Sequence, residues 1–364
     1  MYKSEIRDST IAELSEKVSR LNYGRYLPKI SIKKLRGFSD QTITFDFPVT
    51  AIIGPNGGGK TTILGAAACA YKSIQPRRFF AKSGNFDESM QDWSVEYEIV
   101  DRTINARDTF RRTSTFRNLR WNRDAPARDV LLFGVSRTVP PNEKIEYRAC
   151  TANTFRVQDD QISPLSPSVC TAVSKILDKS INGFKSIQVT RDGRVCLLTG
   201  VTGRGISYSE FHFGAGESSI IRMIQAIDAA PEQTLVLIEE IENGLHPLAT
   251  IKIVEYLINA AKEKKIQVIF TTHSNEALLP LPSNAIWVAK QDSAFQGKLD
   301  VSSLRALTGQ ISKGGAIFVE DAFAKIWLEA IIRQFDANLL DQVEIHAVQG
   351  DGNAASINRS NNLN

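Results

Sequence analysis

The sequence predicts an α/β protein built around a parallel sheet, and three stretches carry that prediction. In the first, Gly54-Pro55-Asn56-Gly57-Gly58-Gly59-Lys60-Thr61-Thr62 lies between the apolar run Val49-Thr50-Ala51-Ile52-Ile53 and the alanine-rich run Ile63-Leu64-Gly65-Ala66-Ala67-Ala68. That is a strand, a glycine-dense turn and a helix, with a complete match to G-x-x-x-x-G-K-[ST]. In the second, Thr234-Leu235-Val236-Leu237-Ile238 runs into Glu239 and Glu240, as a buried parallel strand ending in two acids would. In the third, Gln267-Val268-Ile269-Phe270-Thr271-Thr272 repeats the design and ends at His273-Ser274.

The chemistry of the first stretch is nucleotide binding. Glycines let the backbone wrap a phosphate closely, and the helix that follows adds its positive N-terminal end. Asn56, Gly57, Gly58, Gly59, Lys60, Thr61 and Thr62 are the candidate binding residues. Lys60 is placed to reach the β- and γ-phosphates and Thr61 to offer its hydroxyl to Mg²⁺. At the carboxyl end of a neighbouring strand one acid holds the metal and the next polarises the attacking water, so Glu239 is assigned to the metal and Glu240 to the water. His273 is assigned to sensing the γ-phosphate.

Composition bounds the setting. With 364 residues, the chain exceeds what one hydrophobic core usually serves, which predicts one large domain and part of another. A hydrophobic content of 42% and a charged content of 23% are ordinary for a water-soluble protein, and a net charge of +4 permits nucleic acid as a partner without requiring it. Cysteines 69, 150, 170 and 196 show no C-x-x-C spacing and read as reduced thiols. No apolar run reaches the length of a membrane span, and Met1-Tyr2-Lys3-Ser4-Glu5 is not a signal peptide, so a cytoplasmic protein without membrane contact is expected.

In chain order, Ile11, Leu14, Val18 and Leu21 predict an amphipathic helix from Ser9 to Leu21. Alternation over 29–38 and 41–47 predicts two half-exposed strands, with Arg36 either beside the nucleotide or on a solvated edge. Connections are expected at 75–80 and at Ser83-Gly84-Asn85, then a strand from Trp93 to Val100. Between Arg102 and Arg128 eight arginines, Arg102, Arg107, Arg111, Arg112, Arg117, Arg120, Arg123 and Arg128, interleave with Phe110, Phe116 and Trp121. Such a mixture suits phosphate contact and base stacking, and equally a salt-bridged β face or a partner surface. A buried strand is expected over 130–135, ending near Arg137, and an irregular, proline-containing stretch over 140–167. A helix capped by Ser168 should run to Ile181, and Asp192-Gly193 should turn a hairpin between 186–190 and 195–198.

These residues resemble the ABC-type ATPase heads, and within them the SMC/RecF class and the OLD (overcoming lysogenization defect) family. Gly54 to Thr62 is similar to a Walker A loop, Leu235 to Glu240 to a Walker B strand, Glu242-Asn243-Gly244-Leu245-His246-Pro247 to an OLD-like D-loop, and His273 to the switch histidine. Phe213-Gly214-Ala215-Gly216-Glu217-Ser218-Ser219 stands where the ABC signature stands, with Gly214 in place of its serine and Glu239 in place of the Walker B aspartate. The resemblance implies an ABC-type P-loop ATPase head over 1–311, with a mixed β subdomain, a parallel-sheet core and a signature-helix lobe at roughly 140–230. It also implies ATP and Mg²⁺ as ligands. A head-to-tail homodimer, or a higher oligomer built from it, would bring Gly214, Gly216 and Glu217 of one copy to the ATP of the other.

No heptad series of useful length separates Lys60 from the 186–198 hairpin, and the interval between Walker A and signature holds strands, turns and prolines, which favours OLD-like, RecF-like or defence-system ATPases over cohesin-like ones. The tail, Gly315 to Asp321, Ala322 to Phe335 and Val343 to Val348 into Gln349-Gly350-Asp351-Gly352-Asn353, resembles the opening of a Toprim domain over 312–364. Glu320 would be its metal-binding glutamate, and a fragment of a longer protein is the expectation, without nuclease activity of its own. The implied function is an ATPase of an OLD-like antiphage defence protein controlling a Toprim or partner nuclease, with nucleic acid or another defence subunit as partner. A sensor or scaffold of negligible turnover and a RecF-like repair ATPase are the alternatives.

Overall fold

The computed structural model describes residues 4–82, 89–152, 154–297, 315–336 and 338–347. The helix predicted first is α1 (Asp8–Ser19), whose buried residues are Leu14 and Val18. Strands β1 (Arg25–Leu35) and β2 (Phe38–Thr44) pair antiparallel and lead into β3 (Val49–Ile53), whose side chains are all buried. Helix α2 (Lys60–Ala68) follows the glycine turn. Next come β4 (Trp93–Asp101), β5 (Phe110–Arg117), β6 (Arg120–Arg123) and β7 (Val130–Phe133).

A second group comprises α3 (Arg148–Thr151), β8 (Ile162–Pro164), α4 (Pro167–Leu177), β9 (Lys185–Gln188), β10 (Cys196–Val201), β11 (Ser207–Ser209) and α5 (Ala215–Ala229). The chain then returns through β12 (Leu235–Ile238), α6 (Pro247–Lys264), β13 (Gln267–Thr272), β14 (Ile286–Lys290) and β15 (Ser293–Gln296). Last among the described elements are β16 (Gly315–Val319), α7 (Ala322–Phe335) and β17 (Val343–Ala347).

The central sheet has the order β15-β14-β3-β13-β12-β7, parallel throughout except for β15. Strand alternation divides its side chains between two apolar layers. Val49, Ala51, Ile53, Val236, Ile238, Val268 and Phe270 join α4, α5 and α6 on one face, while Ile52, Leu235, Leu237 and Ile269 join α2 and the second sheet on the other. That second sheet is antiparallel, with order β2-β1-β4-β5-β6. Covering both faces is what permits unbroken apolar runs such as Leu235–Ile238.

A smaller antiparallel sheet, β11-β10-β9-β8, lies in the signature lobe, and Gly193 turns its β9–β10 hairpin with φ 68°. Two expectations over this region need correction. Strand β7 is the edge of the central sheet, so its side chains are only half buried. Helix α4 begins at Pro167 and is capped by Ser166, whose Oγ accepts from Val169 N, because proline at the first helical position needs no donor of its own. It ends at Leu177 as Asp178 turns left-handed.

The arginine-rich stretch is divided: Arg107, Arg111, Arg117 and Arg120 are exposed, whereas Arg102, Arg112, Arg123 and Arg128 are engaged with the fold. Phe116 and Trp121 pack with Phe80 and Trp93 in an aromatic cluster, which removes them as stacking platforms. Arg123 donates to the carbonyls of Cys69 and Tyr71 at the end of α2, Arg102 donates to Leu21 O, and Arg112 pairs with Asp124. Arg128 is buried, donating to Gln233 O (2.8 Å), the Tyr71 hydroxyl (2.9 Å) and Gln267 Oε1 (3.0 Å). Gln267 is itself fully buried and exchanges hydrogen bonds with the main chain of Leu27, so this network staples the two sheets together. Arg128→Ala removes the hydrogen bonds to Gln233 O, Tyr71 and Gln267 at a buried position and is expected to cost about 3 kcal/mol of stability. Chemical denaturation reads this loss, and a midpoint equal to that of the parent protein contradicts the staple.

The tail forms the expected β-α-β unit: β16 and β17 pair in parallel, and Asp321 caps α7 through Ala324 N at 2.7 Å. Glu320 follows β16 directly and is exposed. The connection expected at Ser83-Gly84-Asn85, the segment Val348 to Asn353 and the expected 311/312 boundary lie outside the described residues. Among the described helices none is long and apolar enough to cross a membrane.

Candidate functional site

Strand order decides where the predicted motifs meet. Strand β13 runs between β3 and β12, so the segments leaving the carboxyl ends of these three parallel strands open on one edge of the sheet. There they border a cavity of about 320 Å³ lined by Asn56, Gly57, Gly58, Gly59, Lys60, Thr61, Thr62, Glu239 and Glu240. Arg36, Thr271, Gln291 and Asp292 also line it.

The loop can close this way only with glycine at particular points. Gly59 has φ 96°, and a Cβ there would stand 2.3 Å from the Phe38 ring. Gly54 packs on the main chain of β14, where a Cβ would come within 2.0 Å of Ala289 O. Lys60 is buried, and its ammonium donates to the carbonyls of Gly54 and Pro55, both at 2.9 Å. Burial lowers its pKa to about 8, with Glu240 and Glu242 pulling the other way.

This has a consequence for binding. The protonated amine is the form that phosphate selects, and a bound polyanion raises the amine's pKa. ATP affinity is therefore at full strength below pH 8 and is lost as pH rises above it, by about tenfold per unit. Titration calorimetry between pH 7 and 10 should show this, and a flat profile contradicts it.

The two threonines divide their work. Thr62 is buried and its Oγ1 accepts from Arg36 Nη1 at 3.0 Å, whereas Thr61 is exposed to the cavity. Arg36 also donates to Phe79 O and lies over the Phe80 ring, 5.1 Å from its centroid. It is therefore beside the loop rather than on a solvated edge. Thr61 and Glu239 line the same cavity and supply hard oxygen donors, which fits Mg²⁺, an ion that takes few protein ligands and completes its shell with phosphate and water.

Glu240 sits in a left-handed conformation, φ 46°, with its N–H donated to Thr271 Oγ1 at 2.9 Å. Glu242 accepts from Thr272 Oγ1 (2.8 Å) and from His273 N (2.6 Å), tying the D-loop-like segment to the end of β13. His273 does not line the cavity. It stands within electrostatic reach of Lys60, Glu240 and Glu242, and burial followed by the Lys60 charge lowers its pKa, which keeps the ring neutral at pH 7. Lys60 and Glu240 thus line one cavity, and His273 stands beside it without lining it.

The residues of the signature-like turn do not join them within one chain. Gly214 opens α5 and is exposed, but Gly216 is buried against Gly244, where a Cβ would meet its carbonyl at 2.0 Å. Glu217 turns inward to Lys179, 2.7 Å away, so its carboxylate is spent inside the lobe. Glu320 likewise does not line the cavity, and among the described residues no group of three or more His, Cys, Asp or Glu is placed to hold a metal.

Two family models match parts of the chain. Residues 29–126 match the family described as "AAA domain", and residues 201–279 match the one described as "AAA domain, putative AbiEii toxin, Type IV TA system". The first match contains Lys60 and Thr61, and the second contains Gly214, Glu239, Glu240 and His273. The chain is a P-loop ATPase.

Among solved structures, the ATPase is similar to the SMC head domain from Thermotoga maritima, at 14% identity over 75% of this chain and 99% of that one, with a TM-score of 0.46. It is also similar to the Smc head domain with an extended coiled coil, bound to the C-terminal domain of ScpA, derived from Pyrococcus furiosus. The identity there is 12% over 79% of this chain and 100% of that one, with a TM-score of 0.48. No curated protein matches the sequence.

Sequence reasoning missed Thr271, Gln291 and Asp292 as cavity residues of the ATPase and gave no role to Arg137. Gln291 and Asp292 belong to the turn of the β14–β15 hairpin, which only the tertiary fold brings to the loop. Arg137 carried a weak signal as an arginine directly after a strand.

Proposed function

We propose that this ATPase hydrolyses ATP as an ABC-type head, with two copies closing around nucleotide, and that it works as the motor or switch of an OLD-like defence protein. The cavity carries this reading, because it gathers the phosphate loop, Thr61 and the paired acids from separate strands onto one triphosphate-sized space. Asn56 to Thr62 would hold the phosphates through main-chain N–H groups, and Lys60 would exchange its carbonyl partners for β- and γ-oxygens. Thr61 and Glu239 would hold Mg²⁺, which when bound neutralises charge developing on the phosphates. Glu240 would accept a proton as water attacks the γ-phosphorus; the new bond forms as the bond to the ADP oxygen breaks, releasing phosphate.

The signature turn supports a second copy. Gly214 is exposed at the start of α5, away from its own cavity, where its N–H and the helix end can face a phosphate held by a partner subunit. Glycine in place of serine there supports a slow or switch-like turnover. ATP with Mg²⁺ should shift the Glu240→Gln protein from monomer to dimer in analytical ultracentrifugation, and Gly214→Trp should block that shift. A dimer that forms equally without ATP would refute the closing step.

The β16-α7-β17 unit, with Glu320 at the end of its first strand, is assigned to the beginning of a Toprim-like domain, and the controlled nuclease to a fuller form of it or to a partner. Nucleic acid would meet the exposed Arg107, Arg111 and Arg120. Reversing Arg111 and Arg120 to glutamate should weaken DNA binding and flatten its salt dependence.

A further inference from the structure

The structure assigns Arg137 a positioning role in ATP hydrolysis: its guanidinium fixes the main chain of Glu239 and Glu240, and the turn that carries it packs against the signature helix. This rests on Glu240 acting on the attacking water.

Arg137 lies in the short helical turn Val135–Thr138 that follows β7. Its Nη1 donates to Glu239 O at 2.6 Å and to Gly134 O at 3.1 Å, and its Nη2 donates to Glu240 O at 2.6 Å. The fork of the guanidinium thus spans two consecutive carbonyls, a geometry that a lysine ammonium does not reproduce. What it grips is a strained point. Glu240 is a non-glycine residue at φ 46°, where the left-handed conformation persists only if its surroundings hold it. On the opposite side β13 supplies Thr271, whose Oγ1 accepts from Glu240 N and whose carbonyl accepts from Ile241 N at 3.0 Å. The catalytic turn is therefore held from both flanks, by β13 and by Arg137.

Burial makes the arrangement costly unless the charge is answered. It lowers the arginine's pKa, and Glu242, Glu240 and Glu239 oppose that effect, so the cation is placed among three acids. Its Nε is buried without a partner among the described residues, so the side chain accepts an unmet donor in order to keep the two-carbonyl grip. The same turn packs against α5, and Thr138 Oγ1 accepts from Asn243 Nδ2 at 3.3 Å in the D-loop-like segment. A shift of α5 when its first turn meets nucleotide would therefore reach Glu240 through this turn.

The test uses the full chain with Arg137→Ala and Arg137→Lys. Misplacing Glu240 by an ångström should lower kcat by about 100-fold in Arg137→Ala, with ATP affinity and KM within about threefold of the parent. Arg137→Lys should keep the fold and the charge yet recover less than half of the loss. Guanidinium at tens of millimolar, roughly the level at which it does not yet unfold domains, should raise kcat of Arg137→Ala several-fold and leave Lys60→Ala inactive.

Full kcat in Arg137→Ala, full recovery in Arg137→Lys, absence of guanidinium rescue, or a parallel loss of ATP affinity each overturns the proposal. Loss of turnover in Glu240→Gln with normal turnover in Arg137→Ala sinks this role and leaves the ATPase reading intact. If Glu240→Gln retains turnover, both fall.

Discussion

Glu240→Gln is expected to lower steady-state phosphate release by about 1000-fold while ATP remains bound, because the amide keeps the size of the carboxylate but cannot take a proton. The location of Glu240 makes the prediction specific. It lines the cavity with Lys60 and Thr61, its main chain is held by Thr271 and Arg137, and its neighbour Glu239 is the residue assigned to the metal. Glu239→Gln should instead raise the Mg²⁺ concentration needed for half-maximal turnover. If Glu240→Gln turns over at the parent rate, the water-activating role belongs to another group.

Lys60→Met is expected to abolish turnover and to weaken ATP binding by about 100-fold, the equivalent of two charge-assisted hydrogen bonds. The unliganded protein should lose no stability. Its ammonium is buried against two carbonyls with a folded-state pKa of about 8, below the ordinary lysine value, so carrying the charge at pH 7 costs free energy that methionine avoids. The sign follows from the depressed pKa: the cost is full below pH 8 and disappears as the pH rises toward the unfolded value. Differential scanning fluorimetry reads both halves, an unchanged or higher midpoint without ATP and loss of the upward shift that ATP gives the parent protein, about 2.7 kcal/mol at 100 times the Kd. A lower midpoint without ATP contradicts the burial argument.

Much of the central sheet was legible because its signals are local. A run such as Leu235–Ile238 needs no context to be recognised as buried on both faces, and Gly59 is required wherever the backbone must adopt φ 96° against Phe38. Glu239, Glu240 and His273 were legible because each follows such a run directly. What failed to show depends on distant partners. The arginines and aromatics between 102 and 128 have the composition of a nucleic-acid surface, yet Trp121 meets Phe80 and Arg128 meets Gln267, far apart in sequence. Strand β7 looked buried from its apolar run, but its place at the sheet edge leaves it half covered. The cap falls at Ser166 and not at Ser168, because Pro167 is the first helical position, where its missing N–H costs nothing.

The account stands on separate strand ends closing around one nucleotide. A structure of the Glu240→Gln protein with ATP and Mg²⁺ tests it most directly. The expected result places the triphosphate along Asn56 to Thr62, with the ion at Thr61 and Glu239 and the γ-phosphate facing residue 240. Nucleotide bound elsewhere, or an ATP-bound loop in which Lys60 still grips Gly54 and Pro55 instead of phosphate, would contradict it.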